Sequence, residues 1–356
     1  MTPTEGRSSN AFVNAARKVY HPLHFDKGYN FTLYFIFAGA LLGFVLARFQ
    51  YLDIDGIFCN LKSTTGTASP GECYWYSMTL YRIGIIIHLG CILPAGFLAI
   101  FQFTPVIRHT FTLYHRMAGY LIVTLVLVSN AGAIIIAPHA FGGALPTQAS
   151  VGLLAILSTG GLSLAIYNIK RMQIDQHRKW MLRTWFYMGS TITLRFIMII
   201  AAVVISEIPG GAYRTTYCPE IVSIYGSPAA AYYFYPECEP ANVATINPLN
   251  YAVVAANFSG NPVEIAAAMG VAFPMAIWLA LFMHMVGVEL YIMLTPREHE
   301  RLRKVSWERQ MARGYLNPGS AGLVPEMVGD MDAWTPPAKG LTSAGSVSYA
   351  ESGADQ

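Results

Sequence analysis

The sequence predicts an all-α polytopic membrane protein of six transmembrane helices, with helices two to five as a four-helix core. Composition is the first observation: of 356 residues, 54% are apolar and only 12% are charged, as expected of a chain that meets lipid rather than water. The second is a set of six apolar runs, each able to cross about 30 Å of hydrocarbon at about 1.5 Å per residue. The third is the placement of the basic residues. The tails and the loops after helices two and four hold 18 of the 23 Lys and Arg residues, while Arg48, Lys62 and Arg214 are the 3 on the opposite side and Arg82 and Arg195 are counted with the spans. Positive residues mark the cytosolic side, so both termini are expected there. A net charge of +3 gives no reason to expect nucleic acid as a partner. The partner that the composition implies is the lipid bilayer.

Residues 1–30 are polar and read as a short cytosolic tail. No small-residue cleavage site follows the first apolar run, so no cleaved signal peptide is expected. Helix one covers 31–48, with Arg48 able to snorkel at its end. Residues 49–82 form an outer loop that carries Cys59 and Cys73 and closes on Tyr74-Trp75-Tyr76, an aromatic cluster suited to a headgroup boundary. Helix two spans 83–107, contains His88, and tolerates Pro94 because neighbouring helices can satisfy the freed carbonyl. Helix three, 117–137, follows His115-Arg116 and stops before His139. The outer turn 138–150 leads to helix four, 151–169, whose small residues Ser158 to Gly161 permit close helix approach.

His177-Arg178-Lys179-Trp180-Met181-Leu182-Arg183 then packs a histidine, three cations and an indole ahead of helix five, 184–205, which carries Arg195. Residues 206–264 read as a long polar outer loop with Cys218, Cys238 and the sequon Asn257-Phe258-Ser259. Helix six, 265–294, contains His284 and Glu289. Residues 295–356 read as a basic amphipathic helix on the cytosolic membrane surface, followed by a Gly/Ser/Ala/Pro-rich disordered tail. The transmembrane domain is thus 31–294. Four cysteines fall in the outer loops, where an oxidising compartment permits disulfides. Closing the shorter loops favours Cys59 with Cys73 and Cys218 with Cys238. Asn257 is the expected glycosylation site in a secretory-pathway or plasma membrane protein.

Ionisable residues inside a bilayer are functional candidates. His88 and His139 fall at one depth, and His115, His177 and His284 at the other. Two tiers of histidine suit haem iron, with His115 and His177 as the inner pair, His88 with His139 as the outer pair, and Arg195 available to a propionate. The same residues also suit a bland reading, in which His-Arg pairs anchor helix ends and buried histidines hold helices together. Helices one to five contain no Asp or Glu, which argues against a metal-dependent intramembrane hydrolase.

His88, His115-Arg116-x-x-Gly119, His139 and His177-Arg178-x-Trp180-Met181-x-Arg183 with Arg195 following resemble the predicted-membrane-protein family of domain of unknown function 2306, over about residues 80 to 200. That resemblance implies a fold and no activity. A more distant similarity is to the transmembrane cytochromes b that take electrons from ascorbate, where histidine pairs come from helices two with four and three with five. Helices three and five match here through His115 and His177, whereas helix four has no histidine. The expected function is a haem-b oxidoreductase or electron-transfer protein whose donor and acceptor the sequence does not name. The alternative is a non-catalytic accessory or scaffold protein of a transport or biosynthetic pathway.

Overall fold

The computed structural model describes residues 10–336 apart from 26, 61–67, 209 and 333. The first nine residues and the final stretch of the expected disordered tail, 337–356, lie outside the described residues. The chain forms two compact units, residues 1–162 with 183–290 and residues 163–182 with 291–356. Among the described residues, six helices are long and apolar enough to cross a membrane, and the protein is an all-α multi-pass membrane protein.

In the larger unit a short helix, α1 (Ala11–Tyr20), precedes the first span, α2 (Gly28–Arg48). After the one-turn helix α3 (Glu72–Tyr76) comes the second span, α4 (Thr79–Gln102), which ends five residues before the expected position. Pro105 cannot donate to the helix ladder, and it opens a separate short helix, α5 (Pro105–Thr110). The third span, α6 (Thr112–Ile136), packs closely on α4. The contact has a sequence origin: a Cβ on Gly132 would lie 2.6 Å from the Gly84 carbonyl and 2.8 Å from the His88 amide nitrogen. Only glycine lets the two backbones approach this far.

The fourth span, α7 (Leu145–Lys170), starts with Pro146 in its first turn, where a missing N–H costs nothing. The fifth, α8 (Ile174–Ser206), begins ten residues earlier than expected. The His177–Arg183 stretch is therefore helical, and only three residues separate α7 from α8. Met172 takes a left-handed φ of 56° to make that turn. The sixth span, α12 (Pro262–Met293), starts at a capping box: Asn261 Oδ1 accepts from the Val263 and Glu264 N–H groups, and Glu264 Oε2 accepts from Asn261 N–H.

Between α8 and α12 the sequence reads as one polar loop, but the chain folds there into a lobe. Strand β1 (Tyr213–Tyr217) pairs antiparallel with β2 (Tyr251–Ala255), with Thr215 opposite Val253. Three short helices lie between them: α9 (Cys218–Tyr225), α10 (Pro228–Phe234) and α11 (Pro240–Thr245). Alternation on β2 turns Ala252 and Val254 inward onto Ile221, Ala231, Tyr235 and Val263, around a Cys218–Cys238 disulfide. Cys59 and Cys73 form the second disulfide, so both expected pairings are present. Cys91 is a free thiol. Asn257, half-buried, accepts from Ser259 N–H through Oδ1.

In the smaller unit the expected basic helix is present and has a packed face. Helix α13 (Pro296–Ala312) buries Leu302, Arg303, Ser306 and Gln310, a mostly polar face. That face belongs to a hydrogen-bonded network. Ser306 Oγ donates to Asp175 Oδ1 at 3.0 Å, Gln310 Nε2 donates to the Arg171 carbonyl and Gln173 Oε1, and Gln310 Oε1 accepts from Gly319 N–H. The chain after α13 is tied in as well, with Arg303 paired to Glu326 at 2.7 Å. Gly319, Gly322 and Val324 are thus buried where the composition suggested a disordered tail.

Candidate functional site

The polar residues that the larger unit buries together come from three segments joined beside the lobe: α3, the turn after α6, and β1 with α9. Two carboxyls lie at the centre, with Glu72 8% exposed and Glu220 5% exposed. Glu72 Oε1 accepts from Phe141 N–H at 3.0 Å and Oε2 from Ser69 N–H at 3.2 Å. Glu220 Oε2 accepts from the Trp75 indole at 3.0 Å, and its Oε1 lies 3.8 Å from Arg214 Nη2. Burial pushes both carboxyls above the usual carboxylate range, against the pull of Arg195 on Glu72 and of Arg214 on Glu220. Each carboxyl sits next to a disulfide cysteine or one residue removed from it, Glu72 beside Cys73 and Glu220 after Cys218-Pro219, so the cross-links fix the backbone that presents them.

Aromatic rings wall this cluster. His139 stacks on Trp75 with centroids 3.7 Å apart and planes 12° apart, and meets the edge of Tyr81 at 4.4 Å. Burial lowers His139, which keeps its imidazole neutral near pH 7. Phe141 stacks on Phe273 at 4.4 Å, and Arg195 lies over the Phe141 ring at 4.7 Å. Arg195 therefore faces Phe141 and Glu72. Neutralisable acids, guanidinium donors and aromatic faces in one place can bind and orient a polar group on an apolar body.

The other sequence candidates are not gathered there. His88, on α4, has Nδ1 3.0 Å from Ser129 Oγ and 3.3 Å from the Ser129 carbonyl, both on α6. Since the α4 and α6 backbones touch at Gly84 and Gly132, no porphyrin fits between these two helices at the depth of His88. His139 is packed by Trp75 and Tyr81, so the outer-tier residues do not fit a haem between them. His284 donates from Nδ1 to the Phe186 carbonyl at 2.7 Å and accepts at Nε2 from Thr193 at 2.8 Å, joining α12 to α8. His115 lies in the first turn of α6, in the larger unit. His177 lies in the first turn of α8, in the smaller unit, and donates from Nδ1 to the Ala165 carbonyl at 2.9 Å.

The cations of the helix-five entrance have partners too. Arg183 makes a two-pronged pair with Glu289 at 2.6 and 2.8 Å, and Arg178 reaches the Tyr291 hydroxyl at 3.4 Å. Lys179 Nζ lies 3.3 Å from His299 Nε2. His299 is packed rather than solvated, and burial followed by the Lys179 charge lowers it to about 4. Among the described residues, no group of three or more His, Cys, Asp or Glu could hold a metal ion.

Sequence reasoning missed Glu72, Trp75, Phe141, Arg214 and Glu220 as a set. One signal was available: Arg214 is the sole Lys or Arg between Ser206 and Pro262, in a loop that also carries a cysteine next to a glutamate-bearing turn.

These spans, the lobe and the buried cluster define a helical multi-pass membrane protein with a disulfide-linked extramembrane lobe. Residues 85–220 match the model of the family described as "Predicted membrane protein (DUF2306)", which bears out the resemblance seen in the histidine and arginine motifs. The chain is also similar to "Ava biosynthesis cluster protein G" of Aspergillus versicolor, at 25% identity over 311 residues, covering 76% of this chain and 90% of that protein. No solved structure matches it.

Proposed function

We propose that the protein is a non-catalytic membrane component of a small-molecule biosynthetic pathway, in which the span histidines serve to hold helices together. The observation that carries this reading is the pairing of His88 with Ser129 and of His284 with Phe186 and Thr193, each across two helices. Such interhelical bonds contribute about 0.6 kcal/mol each in a membrane, up to about 2. The pathway half of the reading is supported by the relative from a biosynthesis cluster. Both termini are taken as cytosolic, in keeping with the basic-residue asymmetry and the two disulfides on the opposite side. The lobe is then non-cytosolic, and Asn257 is its glycan acceptor.

A second reading keeps the haem-b oxidoreductase, with His115 and His177 as iron ligands. It is favoured by one observation: the Nδ1–H bond from His177 to the Ala165 carbonyl leaves Nε2 as the ring's acceptor, the tautomer that metal ligation uses. The two readings separate in a producing host. Disrupting the gene is expected to lower product formation, whereas His88→Asn and His177→Asn chains restore it, since an amide can keep a helix-joining hydrogen bond. Product formation that survives disruption would remove the pathway role. Loss of product with the correctly inserted His177→Asn chain would favour the haem reading.

A further inference from the structure

Arg195 and Arg214 carry guanidinium donors that no acceptor among the described residues takes up by a hydrogen bond. Arg195 Nε is buried without a hydrogen-bond partner, and the cation lies over Phe141. Arg214, with a side chain 16% exposed, comes no closer to a carboxylate than the 3.8 Å to Glu220. The nearby acids use their oxygens elsewhere, Glu72 on the Phe141 and Ser69 amides and Glu220 on the Trp75 indole. Buried donors in native proteins are rarely left over, and a planar guanidinium fork matches an oxyanion.

The backbone is shaped to bring the Arg214 head to this place. A Cβ on Gly142 would run into the guanidinium, and one on Gly270 would lie 2.8 Å from Arg214 Nη1 and 3.0 Å from the Phe141 carbonyl. The Arg214 head therefore lies along the Phe141-Gly142 backbone, while Arg195 covers the ring of the same phenylalanine.

We propose that Arg195, over the ring of Phe141, and Arg214, along its backbone, form the seat of a small carboxylic acid with an apolar or aromatic body. The stacked pair Phe141 and Phe273, buried Tyr76 and the Trp75–His139 stack supply the surface for that body. A singly charged carboxylate suits the seat better than phosphate. Glu72 and Glu220 already offset two cations, so each added negative charge is uncompensated, and a dianion brings twice as much into a buried place as a carboxylate does. This inference goes beyond the pathway role and does not depend on it.

Charge balance gives the seat a pH dependence. The groups facing Glu72 are Arg195, Glu220 and Tyr76; those facing Glu220 are Arg214, Trp75, Tyr74 and Glu72; Arg195 also faces Arg48, Tyr51 and Tyr76. As pH falls from neutral to mildly acidic, the two raised carboxyls take up protons before an ordinary carboxylate would, while the arginines stay charged. The site becomes net positive and holds a carboxylate more tightly.

The test is isothermal titration of the full-length protein, in nanodiscs of uncharged lipid, with 3-phenylpropionate, its neutral amide 3-phenylpropanamide, and inorganic phosphate. The acid is expected to bind at least about tenfold more tightly than the amide or phosphate, and more tightly at mildly acidic than at neutral pH. Arg195→Gln and Arg214→Gln should each weaken it by about tenfold or more. Arg214→Lys keeps the charge but not the fork, and should weaken binding in protein that elutes as wild type with both disulfides intact. No binding of the acid to wild type, equal binding of acid and amide, preference for phosphate, or unchanged affinity in both glutamine variants overturns the proposal.

Discussion

Gly132→Leu is expected to lower the stability of the larger unit by about 3 kcal/mol or more, with a correspondingly reduced yield of monodisperse protein. The first added carbon would already lie 2.6 Å from the Gly84 carbonyl and 2.8 Å from the His88 amide. Both obstacles are backbone, so no rotamer change relieves the clash, and α4 must move off α6. Moving them apart also breaks the His88–Ser129 pair and leaves polar groups without partners in hydrocarbon. Gly90→Leu is the control, since a Cβ on Gly90 meets nothing within 4 Å. Thermal melts followed by size-exclusion chromatography in detergent should show a large loss for Gly132→Leu and little change for Gly90→Leu. Equal losses would mean that the glycine contact is not what holds the two helices.

Removing the Cys218–Cys238 cross-link with Cys218→Ser and Cys238→Ser together is expected to cost about 2–5 kcal/mol. The bridge joins positions 20 residues apart in a lobe whose core is small, nine buried residues of which both cysteines are members. A core of that size buries too little apolar surface to hold two strands and three short helices on its own. Loss of the bridge should also loosen Glu220, two residues from Cys218, and with it the acceptor for the Trp75 indole. Limited proteolysis is the measurement: cleavage between residues 207 and 261 should rise sharply in the double serine variant, while the spans stay protected. An unchanged digestion pattern would show that the lobe holds without its disulfide.

The spans were legible because each is an uncharged run bounded by polar residues, and the lipid requirement overrides finer propensities. Their ends were less so. Pro105 ends α4 early through a missing donor, which the apolar count ignores. The His177–Arg183 stretch looks like a loop by charge yet is helical, because Glu289, Tyr291 and His299 receive its cations. Disulfide pairing could be read from loop closure alone. The lobe could not, since its inward residues are small alanines and single aliphatics scattered over some 40 positions. Histidines could be found as candidates by their rarity in hydrocarbon, but their roles depend on which hydroxyl or carbonyl faces each ring. Glu72 and Glu220 were hidden for a simpler reason: they lie outside the spans, where an acid is ordinary, and only tertiary packing buries them.

If the span histidines join helices rather than bind iron, the absorbance spectrum of the purified protein carries no haem signal. Expression with added haem, purification in mild detergent, and a reduced-minus-oxidised difference spectrum are sufficient. No Soret band beyond the background of a mock purification is expected, and no change in the spectrum on His115→Ala or His177→Ala. A stoichiometric Soret band that is lost in His115→Ala and His177→Ala and kept in His109→Ala would contradict the helix-joining role.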